Sequence, residues 1–428
     1  MKNFLRLFSL FLIFALNSCK DDSDNQVPTI SITGPQENTE FPVLSQVVVE
    51  AQIIDNEIVE RVQVSLISDQ TKNRVLPVVD IQVGQKEYRL DVAFEISDSL
   101  LKTGRYYVKV EAFDGQNSTS AFRYINIRGI NTARTGVFVM CEESFTSDLY
   151  FDQNAFNFSR IHQFSSSYGA SVFNRLNQQL WFVPKNGNRI EMFDPVKNAV
   201  DFSKVYNSNF TNPFESLKSD NRDVFFTVSD LGVKALNQNQ NENYTYRTPS
   251  TKKVESLGVG EQFNVVEEVD RNGTNRVLRV LSKSIGANLR SRTIFNDVVD
   301  LEFVDEENVL VFYNSTQGGG AMLFNAITST LQSNLFISDS IRQVVKTNVG
   351  DFVISTKSGV EAFRPSTQNL TNYLTIREAV LDYDQVNNEL YVGFGRQLRV
   401  YAYRQVSPLR STSLPSKIVG INVKLNQF

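Results

Sequence analysis

The amino-acid sequence predicts an all-β protein, and two observations carry that prediction. Short runs of alternating apolar and polar residues recur about every 8 to 12 residues, separated by Gly, Asn, Asp and Pro. Long amphipathic patterns with a helical period are hard to find. The 428 residues exceed one domain of ordinary size, so we expect two β domains in succession.

The first group of strands, in residues 28–129, predicts a small sandwich. About seven short alternating strands within about 100 residues are typical of the immunoglobulin-like fold. The stretch Gly104–Asp114 resembles the late strands of PKD-like and cadherin-like modules, which implies a spacer or adhesive unit. Asp55, Glu57 and Asp114 can bind calcium in a cadherin-like arrangement, but turn formation at strand ends is the favoured interpretation. The clearest predicted strands are Thr29–Ile32, Val47–Ile53, Arg61–Leu66, Tyr88–Val92, Tyr106–Phe113 and Phe122–Ile127.

Residues 135–428 repeat one pattern, in which an apolar strand, a polar turn and a second strand follow each other. A period of about 40 residues is what a four-stranded β-propeller blade requires, so seven repeats predict seven blades. The final strand, Ile418–Leu425, is expected to complete the first blade near Gly136 and so to close the ring. Two successive β-sandwich domains are the alternative. The ends of the second strands lie 38 to 44 residues apart, at Phe151, Phe193, Leu236, Val280, Phe324, Phe363 and Tyr401.

The repeat carries no WD, kelch or Asp-box signature, so it is degenerate. Over about two thirds of the chain its pattern resembles the divergent β-propellers of the YncE or quinoprotein-like type, carried on a surface lipoprotein. The glycines Gly318–Gly320 lie between two predicted strands, where we expect a flexible hairpin tip.

The N-terminus predicts export. Lys2 and Arg6 precede the apolar run Leu7–Leu16, which suits a signal peptide and is too short for a membrane-spanning helix. The run ends in Ser18 and Cys19, and this ending resembles the lipobox of bacterial lipoproteins. The resemblance implies that residues 1–18 are removed and that Cys19 is acylated, with palmitate as an acyl group. An ordinary signal peptide is the alternative.

Charged residues follow this cysteine directly. Lys20, Asp21 and Asp22 resemble the surface-export signal of Bacteroidetes-type lipoproteins, which implies an outer-membrane protein exposed at the cell surface. The plainer interpretation is that residues 19–27 form a solvated, flexible tether after the anchor.

Two serines stand in a possible modification sequence. Ser99 and Ser340 each follow an aspartate and precede an apolar residue. This tripeptide resembles the O-glycosylation sequence of Bacteroidetes exported proteins, which implies a glycan on either serine.

Few residues in the chain can carry catalysis. His162 is the only histidine, which excludes a multi-histidine metal site, and Cys141 lies in an apolar run. No nucleophile elbow, P-loop or dinucleotide-binding motif occurs, and a net charge of −4 gives no nucleic-acid surface. Carboxylate clusters such as 267–268 and 382–384 leave a propeller glycosidase or lyase as a third, less favoured alternative. We therefore expect no enzyme, no metal site and no cofactor.

Binding suits the predicted fold better, because a propeller gathers its loops on one face. By resemblance to surface lipoproteins that serve TonB-dependent transporters, the leading hypothesis is nutrient capture of a glycan, a peptide or a cofactor such as cobalamin. The alternative is a scaffold subunit of an outer-membrane assembly, secretion or motility complex. The turns between the paired strands are polar and moderately basic, and their candidate ligand-binding residues are Lys185, Asn186, Arg189, Asp230, Arg271, Lys357 and Arg396.

Overall fold

The computed structural model describes residues 26–70, 72–98, 101–153, 155–220, 222–347 and 350–426. Over these residues the chain is all-β, which confirms the predicted fold class. A long apolar helix of the kind that spans a membrane does not occur in them. The predicted lipidation site Cys19, the export residues Lys20, Asp21 and Asp22, and the predicted modification site Ser99 lie outside the described residues.

The first of two compact units ends at Asn131 and contains a six-stranded sheet. Its strands are β1 Thr29–Gly34, β2 Glu40–Pro42, β3 Gln46–Ser68, β4 Val79–Glu95, β5 Gly104–Phe113 and β6 Ser118–Arg128. They follow the order β1-β3-β5-β6-β2, with β4 paired to β3. The pairing of β2 with β6 is parallel. One apolar core lies against this sheet.

The long strand β3 joins two segments that the sequence predicts as separate strands. Its core-facing residues are at odd positions from Val47 to Ile53 and at even positions from Val62 to Leu66. The pairing with β4 is irregular between Ile54 and Arg61, and such an irregularity moves the core-facing side from one set of positions to the other. Both segments therefore bury their apolar side chains in the same core.

The second unit begins at Thr132, and its described residues form seven antiparallel sheets of four strands each. Sheet 1 consists of β7 Arg134–Glu143, β8 Thr146–Asp152, β9 Ser159–Phe164 and, from the end of the chain, β34 Lys417–Leu425. Sheet 2 contains β10 Tyr168–Asn174, β11 Gln179–Pro184, β12 Arg189–Asp194 and β13 Ala199–Val205. Sheet 3 contains β14 Leu217–Ser219, β15 Val224–Val228, β16 Gly232–Leu236 and β17 Glu242–Tyr246. Sheet 4 contains β18 Lys252–Val259, β19 Phe263–Asp270, β20 Arg276–Ser282 and β21 Asn288–Ile294. Sheet 5 contains β22 Asp297–Phe303, β23 Asn308–Ser315, β24 Gly318–Asn325 and β25 Leu331–Ile337. Sheet 6 contains β26 Ile341–Lys346, β27 Phe352–Thr356, β28 Val360–Arg364 and β29 Asn369–Leu374. Sheet 7 contains β30 Val380–Asp384, β31 Glu389–Phe394, β32 Gln397–Ala402 and β33 Pro408–Ser413.

The seven sheets follow each other in a closed circle. The first strand of each sheet contacts the first strand of the next, from β34 through β10, β14, β18, β22, β26 and β30 back to β34. Each space between neighbouring sheets holds an apolar cluster, and the cluster that includes Val139 and Tyr391 joins sheet 7 to sheet 1. The pairing of β34 with β7 runs from Lys417 opposite Glu142 to Leu425 opposite Arg134.

The sequence of each strand reflects its place in this circle. The second strands β15 and β27 are buried at every position, because both faces of each sheet are covered by its neighbours. Such strands are expected to be continuous apolar runs. The fourth strand β13 instead alternates between exposed and half-buried residues, as an outer strand should.

The glycines Gly318–Gly320 are a correction to the prediction, because they begin the buried strand β24 and do not form a flexible hairpin tip. A Cβ atom on Gly319 would lie 2.7 Å from the Ile341 side chain, and one on Gly320 would lie 2.5 Å from the Tyr313 ring. Glycine is needed here for close packing between strands.

Candidate binding site

The hairpins between the second and third strands of the sheets lie at one end of the second unit. Because neighbouring strands are antiparallel, the links that lead into each first strand lie at the same end, which we call the hairpin end. The chain enters the second unit at the opposite end, where Arg134 pairs with Leu425. The hairpin end therefore carries all of the predicted ligand-binding residues, which are Lys185, Asn186, Arg189, Asp230, Arg271, Lys357 and Arg396.

A cavity of about 460 Å³ opens to solvent at the hairpin end. It is lined by the beginnings of the first strands of sheets 6, 7, 1 and 2, which are four successive sheets of the circle. The polar side chains that line it are Tyr168, Ser171, Arg342, Gln343 and Glu378. We call this site the axial cavity, and its volume is typical of small-molecule sites.

Three hairpins support the walls of the axial cavity through main-chain hydrogen bonds. Ser167 and Ser340 stand immediately before the lining strands β10 and β26, and Ile418 lies on β34. The supporting bonds, each from an N–H to a carbonyl oxygen, join Lys185 to Ser167 at 3.0 Å, Lys357 to Ser340 at 3.1 Å and Ile418 to Gly395 at 2.7 Å. The predicted hairpins thus position the cavity, while none of the predicted side chains is among those that line it.

An exposed ion pair stands at the rim of the axial cavity. The Nη2 atom of Arg342, on β26, lies 3.3 Å from the Oε1 atom of Glu378, in the link before β30. The two side chains are 53% and 60% exposed, so both can reach a ligand. Glu378 has a φ of 48°, a left-handed conformation that is uncommon outside glycine, and its N–H donates to the Thr356 carbonyl at 3.3 Å.

Hydrogen bonds between neighbouring first strands fix the polar groups inside the cavity. The Tyr168 and Ser171 hydroxyl oxygens are 3.1 Å apart, and the side-chain amide of Asn422 donates to Ser171 Oγ at 2.7 Å. The side-chain N–H of Gln343 donates to the Leu381 carbonyl at 2.9 Å, and the side-chain oxygen of Gln343 accepts the Leu381 N–H at 2.8 Å. These bonds connect sheet 1 to sheet 2 and sheet 6 to sheet 7.

The carboxylate of Asp382 lies on β30, next to Leu381. It accepts the N–H of Val423 at 2.6 Å and the N–H of Tyr383 at 2.8 Å. Burial raises the pKa of Asp382 to about 6 in spite of these bonds.

A glycine makes room for the tyrosine of the cavity. A Cβ atom on Gly420 would lie 2.4 Å from the Tyr168 hydroxyl oxygen and 2.6 Å from its Cζ atom. The ring of Tyr168 therefore lies directly against the backbone of β34, a position that any side chain at residue 420 would disturb.

Two of the predicted ligand-binding residues lie away from the axial cavity and support another loop. Asp230 accepts hydrogen bonds from Ser208 Oγ at 2.6 Å and from the side-chain amide of Asn209 at 2.7 Å. The Arg271 guanidinium lies 5.9 Å from the centre of the Phe210 ring. Both residues thus contact the link 206–216 before β14. Their carboxylate and guanidinium groups are engaged in holding that link.

A cluster of three carboxylates surrounds Arg276 between sheets 4 and 5. Its Nη atoms are 2.9 Å from Glu255, 2.5 Å from Glu267 and 2.8 Å from Asp297. Burial raises the pKa of Glu267 to about 7. The carboxylates are close enough together to hold a metal ion, but the Arg276 guanidinium already contacts all three of them, so we interpret the cluster as a structural network.

Neither Cys141 nor His162 has the surroundings of a catalytic group. Cys141 is buried on β7, and burial raises the pKa of its thiol to about 12. The His162 ring packs against Phe164 and Phe193, with ring centres 4.8 and 5.2 Å apart, and burial lowers the pKa of the imidazole. A thiol that stays protonated is a poor nucleophile.

Comparison with protein-family models finds no match, and comparison with curated proteins finds none. Among solved structures, a quinoprotein alcohol dehydrogenase-like protein from Bacteroides thetaiotaomicron is 11% identical with a TM-score of 0.44, over 92% of this chain and 99% of that one. Apo AztD from Citrobacter koseri is 9% identical with a TM-score of 0.43, over 74% and 95%. Hydrazine synthase from Kuenenia stuttgartiensis is 9% identical with a TM-score of 0.47, over 66% and 98%. With TM-scores below 0.5, these likenesses carry no argument about the activity of this chain.

Proposed function

We propose that residues 135–428 form a seven-bladed β-propeller closed by its C-terminal strand. Seven four-stranded sheets, the closed circle of first strands and the pairing of β34 with β7 support this architecture. Residues 28–129 of the first unit are proposed to be an immunoglobulin-like or PKD-like module, which the antiparallel pairing of most of its strands around one apolar core supports.

The proposed function is capture of a small ligand at the bacterial cell surface, for uptake with a TonB-dependent transporter. In this proposal acyl chains on Cys19 anchor the protein in the outer membrane, and residues 19–27 serve as the tether. Lys20, Asp21 and Asp22 direct export to the surface. The ligand class expected from the sequence is a glycan, a peptide or a cofactor such as cobalamin.

The axial cavity is the observation that carries this proposal. It brings together lining residues from four successive sheets, and hydrogen bonds from three hairpins hold its walls in place. A preformed site with a few fixed polar groups is typical of ligand binding. The chain enters the second unit at the end of the sheets opposite to the cavity.

Capture can be tested with the mature chain carrying Cys19→Ser. The protein is incubated with the low-mass fraction of spent culture medium and recovered by ultrafiltration, and the retained compounds are identified by mass spectrometry. We expect retained compounds that are lost in Arg342→Glu, which replaces one member of the exposed rim pair. Lys197→Glu is the matched control, because it reverses one member of an exposed ion pair with Asp201 at the opposite end. Failure to retain any compound would overturn the capture proposal.

The anchor and the partner need a separate experiment in native cells. Metabolic labelling with a palmitate analogue should mark the wild-type chain and leave Cys19→Ser unmarked. Digestion of intact cells by an added protease should degrade a surface-exposed chain. Purification of the native protein in mild detergent should recover a TonB-dependent transporter; recovery of assembly, secretion or motility components would favour the scaffold function.

One observation favours the scaffold alternative. Phe145 and Phe295, both at the hairpin end, are 80% and 92% exposed, and exposed aromatic residues often contact protein partners. They belong to sheet 1 and to the link between sheets 4 and 5, so several sheets separate them and they form no continuous patch. Ligand capture therefore remains the leading proposal.

The glycosidase or lyase alternative finds less support at this site. Glu378 is the one carboxylate among the described residues that line the axial cavity. The usual glycosidase mechanisms need two carboxylates on either side of the bond that is cleaved. We therefore propose a binding protein and no enzyme.

A further inference from the structure

The described lining of the axial cavity carries no net charge. Arg342 supplies one positive charge and Glu378 one negative charge, and they form an ion pair at the rim. A ligand with a net charge would attract one member of this pair and repel the other. The balance of charge therefore favours a neutral ligand.

The rim ion pair keeps much of its hydrogen-bonding capacity for a ligand. The contact between Arg342 and Glu378 uses one donor and one acceptor, whereas a guanidinium has several N–H donors and a carboxylate has two oxygens with several lone pairs. A donor group thus stands beside an acceptor group. This arrangement suits neighbouring hydroxyl groups, because each hydroxyl both donates and accepts.

Apolar surface completes the cavity. Tyr168 lines it, and the Tyr168 side chain is held by the Ser171 hydroxyl and by the close approach of Gly420. Val380 and Val419 also line it. A sugar ring has C–H faces that pack on aromatic and aliphatic surface, while the hydroxyl groups at its edge need polar partners.

We propose that the axial cavity binds a neutral, polyhydroxylated ligand of the saccharide class, an inference that rests on the proposed capture function. Arg342 and Glu378 bind neighbouring hydroxyl groups, and the Tyr168 ring packs against a face of the sugar. A zwitterionic peptide would bring a carboxylate to the Arg342 guanidinium and an ammonium group to the Glu378 carboxylate, so its charges would compete with the existing ion pair. A saccharide binds to both groups while they remain paired.

The test is isothermal titration calorimetry of the mature chain carrying Cys19→Ser. The saccharide probes are neutral trisaccharides of the glucan, mannan, xylan and chitin series, and the other probes are a trialanine peptide and cyanocobalamin. We expect at least one trisaccharide to bind with a Kd of about 1 mM or below. Its affinity should not change between about 50 mM and about 500 mM sodium chloride, because no net charge is paired on binding.

Two variants and one control test whether the rim pair binds the trisaccharide. Arg342→Gln and Glu378→Gly are each expected to weaken trisaccharide binding by about tenfold or more. Glycine is the residue best suited to the left-handed backbone of Glu378, so loss of binding in Glu378→Gly is not a consequence of unfolding. The matched control is Lys197→Gln, which breaks the exposed pair with Asp201 at the opposite end and should leave the affinity unchanged.

Each other outcome has a distinct meaning. Binding of trialanine or cyanocobalamin in place of the trisaccharides, lost in Arg342→Gln, would overturn the saccharide class and leave the capture function standing. Trisaccharide binding that survives both rim variants would overturn the assignment to this cavity. Absence of binding to every probe would overturn the saccharide inference, and the capture function would also fail if no compound were retained from culture medium.

Discussion

Replacing Arg134 with methionine should weaken the contact between the first and last sheets of the second unit. Arg134, only 12% exposed on β7, has its Nη1 atom 2.9 Å from Glu389 and 3.6 Å from Asp384. Asp384 is fully buried, and removing one partner of a buried ion pair typically costs about 3 to 5 kcal/mol. Arg410 still lies 2.5 Å from Glu389, so we expect the lower end, a loss of about 3 kcal/mol in the free energy of unfolding.

The single tryptophan makes this prediction measurable. Trp181 is buried in sheet 2, so its fluorescence during urea unfolding of the whole mature chain reports on the second unit alone. Lys197→Met is the control, and it should leave the unfolding midpoint unchanged because its ion pair with Asp201 is exposed. If Arg134→Met and Lys197→Met unfolded at the same urea concentration, the idea that this cluster stabilises the closed circle would be refuted.

Three further predictions concern single residues. Gly420→Ala should reduce stability by about 1 to 3 kcal/mol and weaken ligand binding, because the added Cβ would meet the Tyr168 hydroxyl. The control is Gly104→Ala, because a Cβ at residue 104 would have no neighbour closer than 3.9 Å. The folded-state pKa of Glu267, about 7, exceeds its ordinary value of 4.5, so the stability that Glu267 contributes is fully present below about pH 4.5 and is lost as the pH rises through about 7. Glu267→Gln should therefore flatten the pH dependence of tryptophan-monitored unfolding between about pH 5 and about pH 8, and an unchanged slope would contradict the raised pKa. A thiol reagent should label Cys141 only after the chain is unfolded in urea, since its thiol is buried; labelling of the native chain would show that β7 opens.

The arrangement of strands in the second unit could be anticipated because burial restricts the sequence. The seven marker residues each lie on the third strand of a different sheet, as Phe193 does on β12 and Tyr401 on β32. Neighbouring sheets cover such a strand, so its buried residues are apolar, and the repeat distance is then set by the length of four strands. In the first unit the same signal identifies the segments of β3 but does not show that they are one strand, because an irregularity leaves little trace in the sequence.

The lining of the axial cavity could not be predicted in the same way. Tyr168, Arg342 and Glu378 are far apart in the sequence and come together because the circle of sheets closes. No local spacing relates them, and each lies at or near the start of a first strand, where sequence patterns place boundaries least well. The glycines Gly318–Gly320 illustrate a similar ambiguity, since a glycine can serve a turn or a close contact and the sequence does not distinguish the two.

The hairpin residues predicted from the sequence and the residues that line the cavity contribute to the same site in different ways. Lys185 and Lys357 hold the walls through their N–H groups, a contribution that every residue except proline can make. Arg342 and Glu378 present side chains at the rim, where, in the proposed capture function, the chemical identity of the group decides which ligand is bound. Hairpin sequences can therefore diverge while the cavity keeps its shape. Under the proposed capture function, the choice of ligand depends on the few residues that begin the first strands, and specificity should be sought there.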